Sequence, residues 1–156
     1  MIFEPYGVAT FCDDIRHEAN GKITLVGCYA GELIFGSKAP AVLPTFAALI
    51  SLRLPLDSAP KKVDIRVMKL DQGGQTSIMD MSLKDIDLKA DGMDLPEGFS
   101  EEDRLISMMI PCQWQMLRFE GPGTIKARAY INDEIEVKLG ALVVKFADHK
   151  DQDEKA

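Results

Sequence analysis

Five polar residues near the N-terminus form the densest group of side chains able to do chemistry in this sequence. They are Asp13, Asp14, Arg16, His17 and Glu18, set inside an otherwise apolar alternating pattern. Two carboxylates beside a histidine can bind a metal ion or a small polar ligand, or act as general acid and base in a hydrolase. This cluster is therefore the candidate site for a metal-binding, ligand-binding or hydrolytic function.

Strand geometry weighs against a joint role for the two aspartates. Residues 7–17 alternate as a strand does, and consecutive strand residues point to opposite faces. Asp13 and Asp14 can then meet one ion only where the strand bulges. The structural alternative is that one of the two aspartates is half-buried and accepts hydrogen bonds from a backbone turn or an arginine. The sequence leaves open which one, and Asp13, between Phe11 and Ile15, is the preferred choice. The candidate arginines are Arg16, Arg53 and Arg66.

The first two predicted strands are joined by a tight turn at Asn20-Gly21. Both residue types tolerate positive φ, which a two-residue type I′ turn requires at its two central positions. Such a turn fixes how the two strands pair. The predicted register places Ile15 opposite Val26, Asp13 opposite Cys28 and Asp14 opposite Gly27.

An acidic segment, residues 85–104, interrupts the strand pattern and is the second candidate site. It holds eight acidic and two basic residues, so it carries −6 of the chain's net charge of −7. Asp85, Asp87, Asp91 and Asp94 do not have the spacing of a calcium-binding loop. We expect a solvated acidic loop, with at most one short helix, that can dock a basic partner.

Composition and charge limit the classes of function. With 46% hydrophobic and 28% charged residues, the 156-residue chain is typical of a soluble globular protein. A net charge of −7 disfavours nucleic acid and anionic membranes as partners, because binding to either needs clustered Lys and Arg. No signal peptide or membrane-spanning apolar run is visible. We therefore expect a cytoplasmic protein that binds neither nucleic acid nor membrane.

Cysteine usage agrees with a reducing compartment. Cys12, Cys28 and Cys112 are odd in number and lack the C-x-x-C spacing of a metal or redox motif. Each lies in a strand pattern beside apolar residues, so we expect buried, inert thiols rather than a nucleophile. Trp114, with several methionines, is expected to pack in the core, the alternative being a pliable apolar binding face. No metal site is predicted.

Alternating apolar and polar residues recur along the chain, and no stretch of ten or more has strong helical periodicity. Sheets with one apolar and one solvent-exposed face bury their apolar faces against each other. We therefore predict an all-β fold, an antiparallel β-sandwich of seven to nine strands. Alternation predicts strands over residues 63–71, 76–84, 125–131 and 135–146. Residues 42–54 are apolar on both faces, as in a central strand covered on each side. Asn132-Asp133 predicts a tight turn, and Gly140 predicts a β-bulge. We assign residues 1–147 to a single domain and residues 148–156 to a charged flexible tail.

Two stretches resemble known families. The first combines Phe11-Cys12-Asp13-Asp14-Ile15-Arg16, Gly21-Lys22, Leu25-Val26-Gly27-Cys28-Tyr29 and Leu43-Pro44. It resembles the N-terminal signature of a bacterial and phage-associated family of unknown function. The stretch from Gly121 to Val144 is similar to the closing hairpin of immunoglobulin-like sandwiches. Neither resemblance implies an activity, a substrate or a catalytic residue.

No complete catalytic set is recognisable in the sequence. It contains no nucleophile elbow, no phosphate-binding glycine loop and no zinc-protease motif. We predict a non-catalytic β-sandwich that acts through protein–protein contacts, as an accessory or self-associating module. The alternative is a metal- or small-ligand-binding domain, or a hydrolase, built on Asp13, Asp14 and His17. No cofactor is predicted, and the sequence leaves a small-molecule ligand undecided.

Overall fold

Nine β-strands make up most of the described chain. The computed structural model describes residues 4–55, 60–84, 97–98 and 105–147. Within these ranges it contains one three-residue 3-10 turn and no α-helix. The strands are β1 (Tyr6–His17), β2 (Ile23–Cys28), β3 (Glu32–Phe35), β4 (Ala41–Pro55), β5 (Lys62–Asp71), β6 (Gly74–Lys84), β7 (Leu105–Phe119), β8 (Gly123–Ile131) and β9 (Ile135–Phe146). The predicted all-β sandwich is confirmed, at the upper end of the predicted strand number.

The strands form two sheets that pack against each other. The first sheet has the order β2-β1-β4-β7 and the second has the order β3-β9-β8-β5-β6. Neighbouring strands pair antiparallel, as predicted, with the exception of β3 and β9, which pair parallel. The exception arises because the chain crosses between the sheets after β2. The strand β3 therefore joins β9 without the hairpin connection that makes neighbours antiparallel.

The core lies between the inner faces of the two sheets. One cluster of buried side chains draws on strands of both sheets, among them Phe46, Ile65, Ile125 and Leu142. In β4, every second residue from Phe46 to Leu54 is buried in this cluster, which is the pattern of a strand with one face on the core. Lying between β1 and β7, β4 is a central strand, as predicted. The expectation that it is covered on both sides is wrong, because Leu49, Ser51 and Arg53 on its other face are only partly buried.

Two irregularities change which face of the first sheet its residues occupy. In β1, Phe11 packs in the main core, whereas Ile15 packs in a separate small cluster. Regular alternation would put both on one face of the sheet. The alternation of side chains between the two faces is therefore interrupted between Phe11 and Ile15, beside Gly27 of β2, whose φ is 67°. A similar change occurs where Pro44 of β4 faces Met116 of β7, whose φ is 53°.

The β1–β2 hairpin has a three-residue loop instead of the predicted two-residue turn. Asn20 and Gly21 have positive φ, at 62° and 72°, but Ala19 joins them in the loop. The Glu18 backbone N–H donates to the Lys22 carbonyl at 2.8 Å and closes it. The extra loop residue shifts the pairing by one position, so the predicted register is wrong. The observed pairs include Ile15 with Leu25, Asp14 with Val26 and Cys12 with Cys28.

Two local predictions are confirmed in the β8–β9 hairpin. The strands are joined by a tight turn at Asn132-Asp133, where both residues have positive φ, at 52° and 58°. The register between the strands shifts next to Gly140, whose φ is 156°. The predicted bulge at Gly140 is therefore present, and it re-aligns the end of β9 with the core.

Some predictions concern residues outside the described ranges. These are the short helix of residues 85–104, the acidic loop with Asp85, Asp87, Asp91 and Asp94, and the tail of residues 148–156. Where the chain is described, no helix has the length and hydropathy needed to cross a membrane.

Candidate functional site

Asp13 is exposed, and the expectation of a half-buried carboxylate is wrong for this residue. The hydroxyl of Tyr29, the first residue after β2, donates a hydrogen bond to Asp13 Oδ1. Burial and this hydrogen bond raise the pKa of the Tyr29 hydroxyl. Across from Asp13 lies Gly27, where a Cβ would collide with the carboxylate. Because the strands change phase here, Asp13 does not occupy the position between Phe11 and Ile15 that regular alternation would give it.

Asp14 is the half-buried member of the pair. Its Oδ1 accepts hydrogen bonds from the Ile15 backbone N–H at 2.9 Å and from Gln113 Nε2 at 3.1 Å. Gln113 Nε2 also donates to the Ile15 carbonyl at 2.9 Å. Gln113 belongs to β7 and lies opposite Ala47 of β4, so its side chain reaches over β4 to β1. Asp14 thus has a structural role of the kind that was predicted for Asp13.

The other members of the predicted cluster are exposed at the end of the hairpin. Arg16 lies opposite Thr24, His17 lies opposite Ile23, and Glu18 begins the loop. Among the residues that the structure describes, no group of three or more His, Cys, Asp and Glu side chains is arranged to hold a metal ion. The fold therefore keeps the five residues close in sequence but directs the two aspartates to separate partners.

The three cysteines are free thiols in different environments. Cys12 and Cys112 are buried, as predicted, but Cys28 is exposed, so the expectation of a buried thiol is wrong there. Cys28 ends β2, an edge strand of the first sheet, which leaves it open to solvent. Burial raises the pKa of the Cys112 thiol to about 11, and its Sγ lies 3.1 Å from Met79 Sδ.

Trp114 packs against the core, as predicted. Its indole Nε1–H donates to the Ile78 carbonyl of β6 at 2.9 Å, which connects the edges of the two sheets. Its ring centroid is 5.6 Å from that of Phe46. Met109 and Met116 of the same strand are instead exposed, at 52% and 68%.

A weakly charged surface that sequence reasoning did not single out lies on the outer face of the first sheet. Three rows of paired residues cross β1, β4 and β7 there: Tyr6, Arg53 and Ser107; Val8, Ser51 and Met109; Thr10, Leu49 and Pro111. We call these nine residues the outer patch. Tyr6 and Val8 are 52% and 54% exposed. Arg53 is the one charged residue of the nine, which sets this surface apart in a protein with 28% charged residues.

An open depression of about 290 Å³ lies at one end of the outer patch, lined by Tyr6, Gly7, Val8, Ser51 and Arg53. Arg53 Nη1 donates to Ser51 Oγ at 3.1 Å and to the neighbouring Leu52 carbonyl at 3.4 Å, which holds the guanidinium against the sheet. Sites for small molecules are clefts that enclose much of the ligand surface. This open depression fits better as part of a broader contact surface.

The outer face of the second sheet has the opposite character. The corresponding block across β5, β8 and β9 consists of Asp64, Tyr130 and Glu136; Arg66, Arg128 and Lys138; Met68, Lys126 and Ala141. Six of these nine residues are charged, against one of nine in the outer patch. Arg66 pairs with Asp80 at 3.5 Å and Arg128 with Glu136 at 3.8 Å. This face has the composition of a solvated surface, which makes the low charge of the outer patch a specific feature.

The outer patch borders an open strand edge. The strand β7 is 15 residues long and pairs with β4 on one side, while no described strand pairs with its other side. Edge strands are commonly protected by shortness or by charge. Arg118 is the one charged residue of β7, whereas β2 and β3 are short, with 6 and 4 residues. Pro111 lacks a backbone N–H and interrupts the edge near its middle.

The sequence carried a partial signal for the outer patch. Every second residue in the three stretches concerned is uncharged, apart from Arg53, and alternates with an apolar residue or glycine. What the sequence could not show is that β1, β4 and β7 are neighbours, because long segments of chain separate them. The low charge becomes a surface property only when the three strands are placed side by side.

Comparison with family models matches residues 7–144 to a family of unknown function. No curated protein matches the chain. The matched region begins in β1 and ends in β9, so it spans both sheets of the sandwich.

Proposed function

The chain belongs to this family of unknown function, DUF6941, and we propose that it is a non-catalytic β-sandwich that acts through protein–protein contacts. The contact surface in this proposal is the outer patch. The observation that carries it is the presence of one charge among nine neighbouring residues, several of them apolar and half exposed. The protein then works as an accessory or self-associating module.

The low charge of the outer patch supports a contact role through the free energy of desolvation. Burying apolar surface yields about 25 cal/mol per Å², whereas burying an unpaired charge is costly. Val8 and Met109 lie in the same row, about 10 Å apart across β4, so one partner can cover both. Arg53 keeps its hydrogen bonds to Ser51 and to the Leu52 carbonyl when the patch is covered.

A second copy of the chain is the partner that we propose. A two-fold contact brings the same surface of both copies together, so the surface must not repel itself. Arg53 lies in an end row of the outer patch, beside Tyr6 and Ser107. With a two-fold axis running along the central row, which contains Val8 and Met109, the two arginines lie at opposite ends of the interface. Face-to-face packing of two sheets then covers the apolar residues of both copies at a separation of about 10 Å.

Size-exclusion chromatography with light scattering tests this proposal. The full chain is expected to be a dimer, and the double variant Val8→Lys/Met109→Lys is expected to be a folded monomer, because both side chains are exposed. The matched control is Ile34→Lys/Val143→Lys, at exposed apolar positions of the second sheet, which should leave the dimer intact.

Two results would contradict the proposal. A wild-type chain that is monomeric at every accessible concentration removes a second copy as the partner, and if it also retrieves no partner from the cytoplasm of its own cells, the contact function is removed too. Equal dissociation of the dimer by the Ile34→Lys/Val143→Lys control removes the outer patch as the contact surface.

A cytoplasmic location is part of the proposal, and the three free thiols support it, because reducing compartments keep cysteines unpaired. The likeness of the β8–β9 hairpin to immunoglobulin-like sandwiches supports a binding role, because that architecture is common among recognition domains.

A further inference from the structure

Cys12 and Cys28 lie directly opposite each other on the antiparallel strands β1 and β2. The two side chains of such a cross-strand pair lie on the same face of the sheet. Both are free thiols in this structure. The third cysteine, Cys112, lies opposite Ala48 of β4, and its sulfur contacts Met79. Cys12 and Cys28 therefore form a thiol pair that excludes Cys112.

The hydrogen bonds around this pair identify its type. The Tyr29 backbone N–H donates to the Phe11 carbonyl at 2.9 Å. A bond from the residue after Cys28 to the residue before Cys12 flanks a non-hydrogen-bonded pair. In such pairs the Cα atoms are about 4.5 Å apart and the side chains approach most closely. Disulfides join residues whose Cα atoms are roughly 4.4–6.8 Å apart, a range that includes the ordinary spacing of such pairs.

The two thiols differ in access to solvent. Cys28 is exposed, whereas Cys12 has no exposed surface. The Cys12 Sγ lies 3.4 Å from the Asp14 carbonyl, to which the thiol donates. Burial raises the pKa of the Cys12 thiol, and the nearby Cys28 adds to this effect. A reagent in solution therefore reaches Cys28 and not Cys12.

We propose that Cys12 and Cys28 are an oxidative modification site, which takes a low-molecular-weight disulfide such as glutathione disulfide as its oxidant. This proposal is independent of the proposed contact function. It rests on the directly opposed cysteines and on their unequal exposure. Exposed Cys28 is the attacking thiol and buried Cys12 is the resolving thiol.

The reaction has two exchange steps. The Cys28 thiolate attacks one sulfur of glutathione disulfide, so that a mixed disulfide forms and one glutathione leaves as thiolate. Cys12 then attacks the Cys28 sulfur of the mixed disulfide, and its proton passes to the glutathione thiolate that is released. The Cys12–Cys28 bond forms, and the second glutathione leaves. Overall, two protein thiols are oxidised, one glutathione disulfide is reduced to two glutathiones, and the hydrogen bond from Cys12 to Asp14 is lost.

Oxidation of the purified full chain with glutathione disulfide tests the proposal. The number of free thiols, titrated after denaturation at acid pH, is expected to fall from three to one. Mass spectrometry should show the loss of two hydrogens and a peptide pair linked through Cys12 and Cys28. Reduction with dithiothreitol should restore three thiols.

Single variants separate the two roles. In Cys12→Ser, Cys28 should keep a stable glutathione adduct, because no resolving thiol is present. In Cys28→Ser, no adduct should form while the protein is folded, and Cys112→Ser should behave as the wild type does. If a variant does not fold, the test rests on whether the peptide linked through Cys12 and Cys28 is found in the oxidised wild-type chain.

Three results overturn the proposal. The first is a wild-type chain that accumulates glutathione on Cys28 without a Cys12–Cys28 linkage. The second is native oxidation that links Cys112 to either partner. The third is formation of a covalent dimer through Cys28 instead of the intramolecular bond.

Discussion

Gly27 and Asp13 share a small volume between β1 and β2. A Cβ at position 27 would collide with the Asp13 carboxylate, so glycine leaves the space which that carboxylate occupies. The φ of Gly27, 67°, lies in the left-handed region that costs other residues about 1–2 kcal/mol. The Tyr29 hydroxyl then holds the carboxylate in place. These three residues therefore act as one structural unit, in which the Asp13 carboxylate has Tyr29 as its partner.

Substitution of Gly27 measures the energy of this unit. We expect Gly27→Ala to lower the free energy of unfolding by about 2–4 kcal/mol, because φ strain and displacement of the carboxylate add together. Gly21→Ala is the matched control, since its φ is 72° and nothing lies within 4 Å of the added methyl group. That control should cost about 1–2 kcal/mol, the φ strain alone. Urea unfolding gives both values, and equal losses would show that the contact with Asp13 carries no energy.

Asp64 joins β5, β6 and the β8–β9 turn through its neighbours. It is the buried charged residue of the described chain, and its Oδ2 lies 3.0 Å from Lys62 Nζ. Lys62 also pairs with Asp133 at 3.0 Å. A hydrogen bond from the Ser82 hydroxyl, followed by the one from Lys62, lowers the pKa of the Asp64 carboxyl. These contacts fix the three elements relative to one another at one end of the second sheet.

The lowered pKa of Asp64 predicts how stability depends on pH. An unfolded aspartate has a pKa of about 3.9, so the contribution of Asp64 is complete above pH about 4. It is lost as the pH falls through the lower folded pKa. In urea unfolding between pH 5 and pH 2, Asp64→Asn should therefore be less stable than wild type at pH 5, and the difference should shrink towards pH 2. Asp80→Asn, exposed on β6, controls for the loss of one negative charge. A difference that stays constant with pH would contradict the ionised role of Asp64.

At the scale of elements, the sequence predicted the strands better than their pairing. Alternation located β5, β6, β8 and β9, and Asn132-Asp133 and Gly140 were placed correctly in the closing hairpin. The register of β1 and β2 was off by one because Ala19 belongs to the loop. A two-residue and a three-residue loop are both compatible with Asn20-Gly21. Because Ala19 is in the loop, Cys28 pairs with Cys12 and not with its predicted partner, Asp13.

The molecule as a whole has one shared core and two outer faces of different composition. The first sheet presents the weakly charged outer patch, and the second presents a surface rich in charged side chains. Since both sheets contribute to the same buried cluster, the two faces are held on opposite sides of the sandwich. A partner that binds one face therefore leaves the other in solvent.

Two isoleucines on the second sheet measure how far stability depends on the shared core. Ile65 of β5 is fully buried, and Ile65→Ala should cost about 2–5 kcal/mol through lost burial and a residual cavity. Ile34 of β3 is 63% exposed, and the same substitution there should change stability by no more than about 0.5 kcal/mol. Urea denaturation of both variants checks this contrast. A similar cost at both positions would argue against a single cooperative core.

The sequence by itself determined that the chain is a sandwich of alternating strands, where several turns lie, that Trp114 packs against the core, and that Cys12 and Cys112 are buried, but it wrongly buried Cys28 as well. These properties follow from a period of two residues and from local turn chemistry, which short stretches express without help from the rest of the chain. The tertiary structure alone determined which strands are neighbours and where β1 changes phase. Those features depend on burying the apolar faces of all strands together, which requires contacts between segments that are distant in the sequence. The half-buried Asp14, the outer patch and the Cys12–Cys28 pair all follow from such contacts.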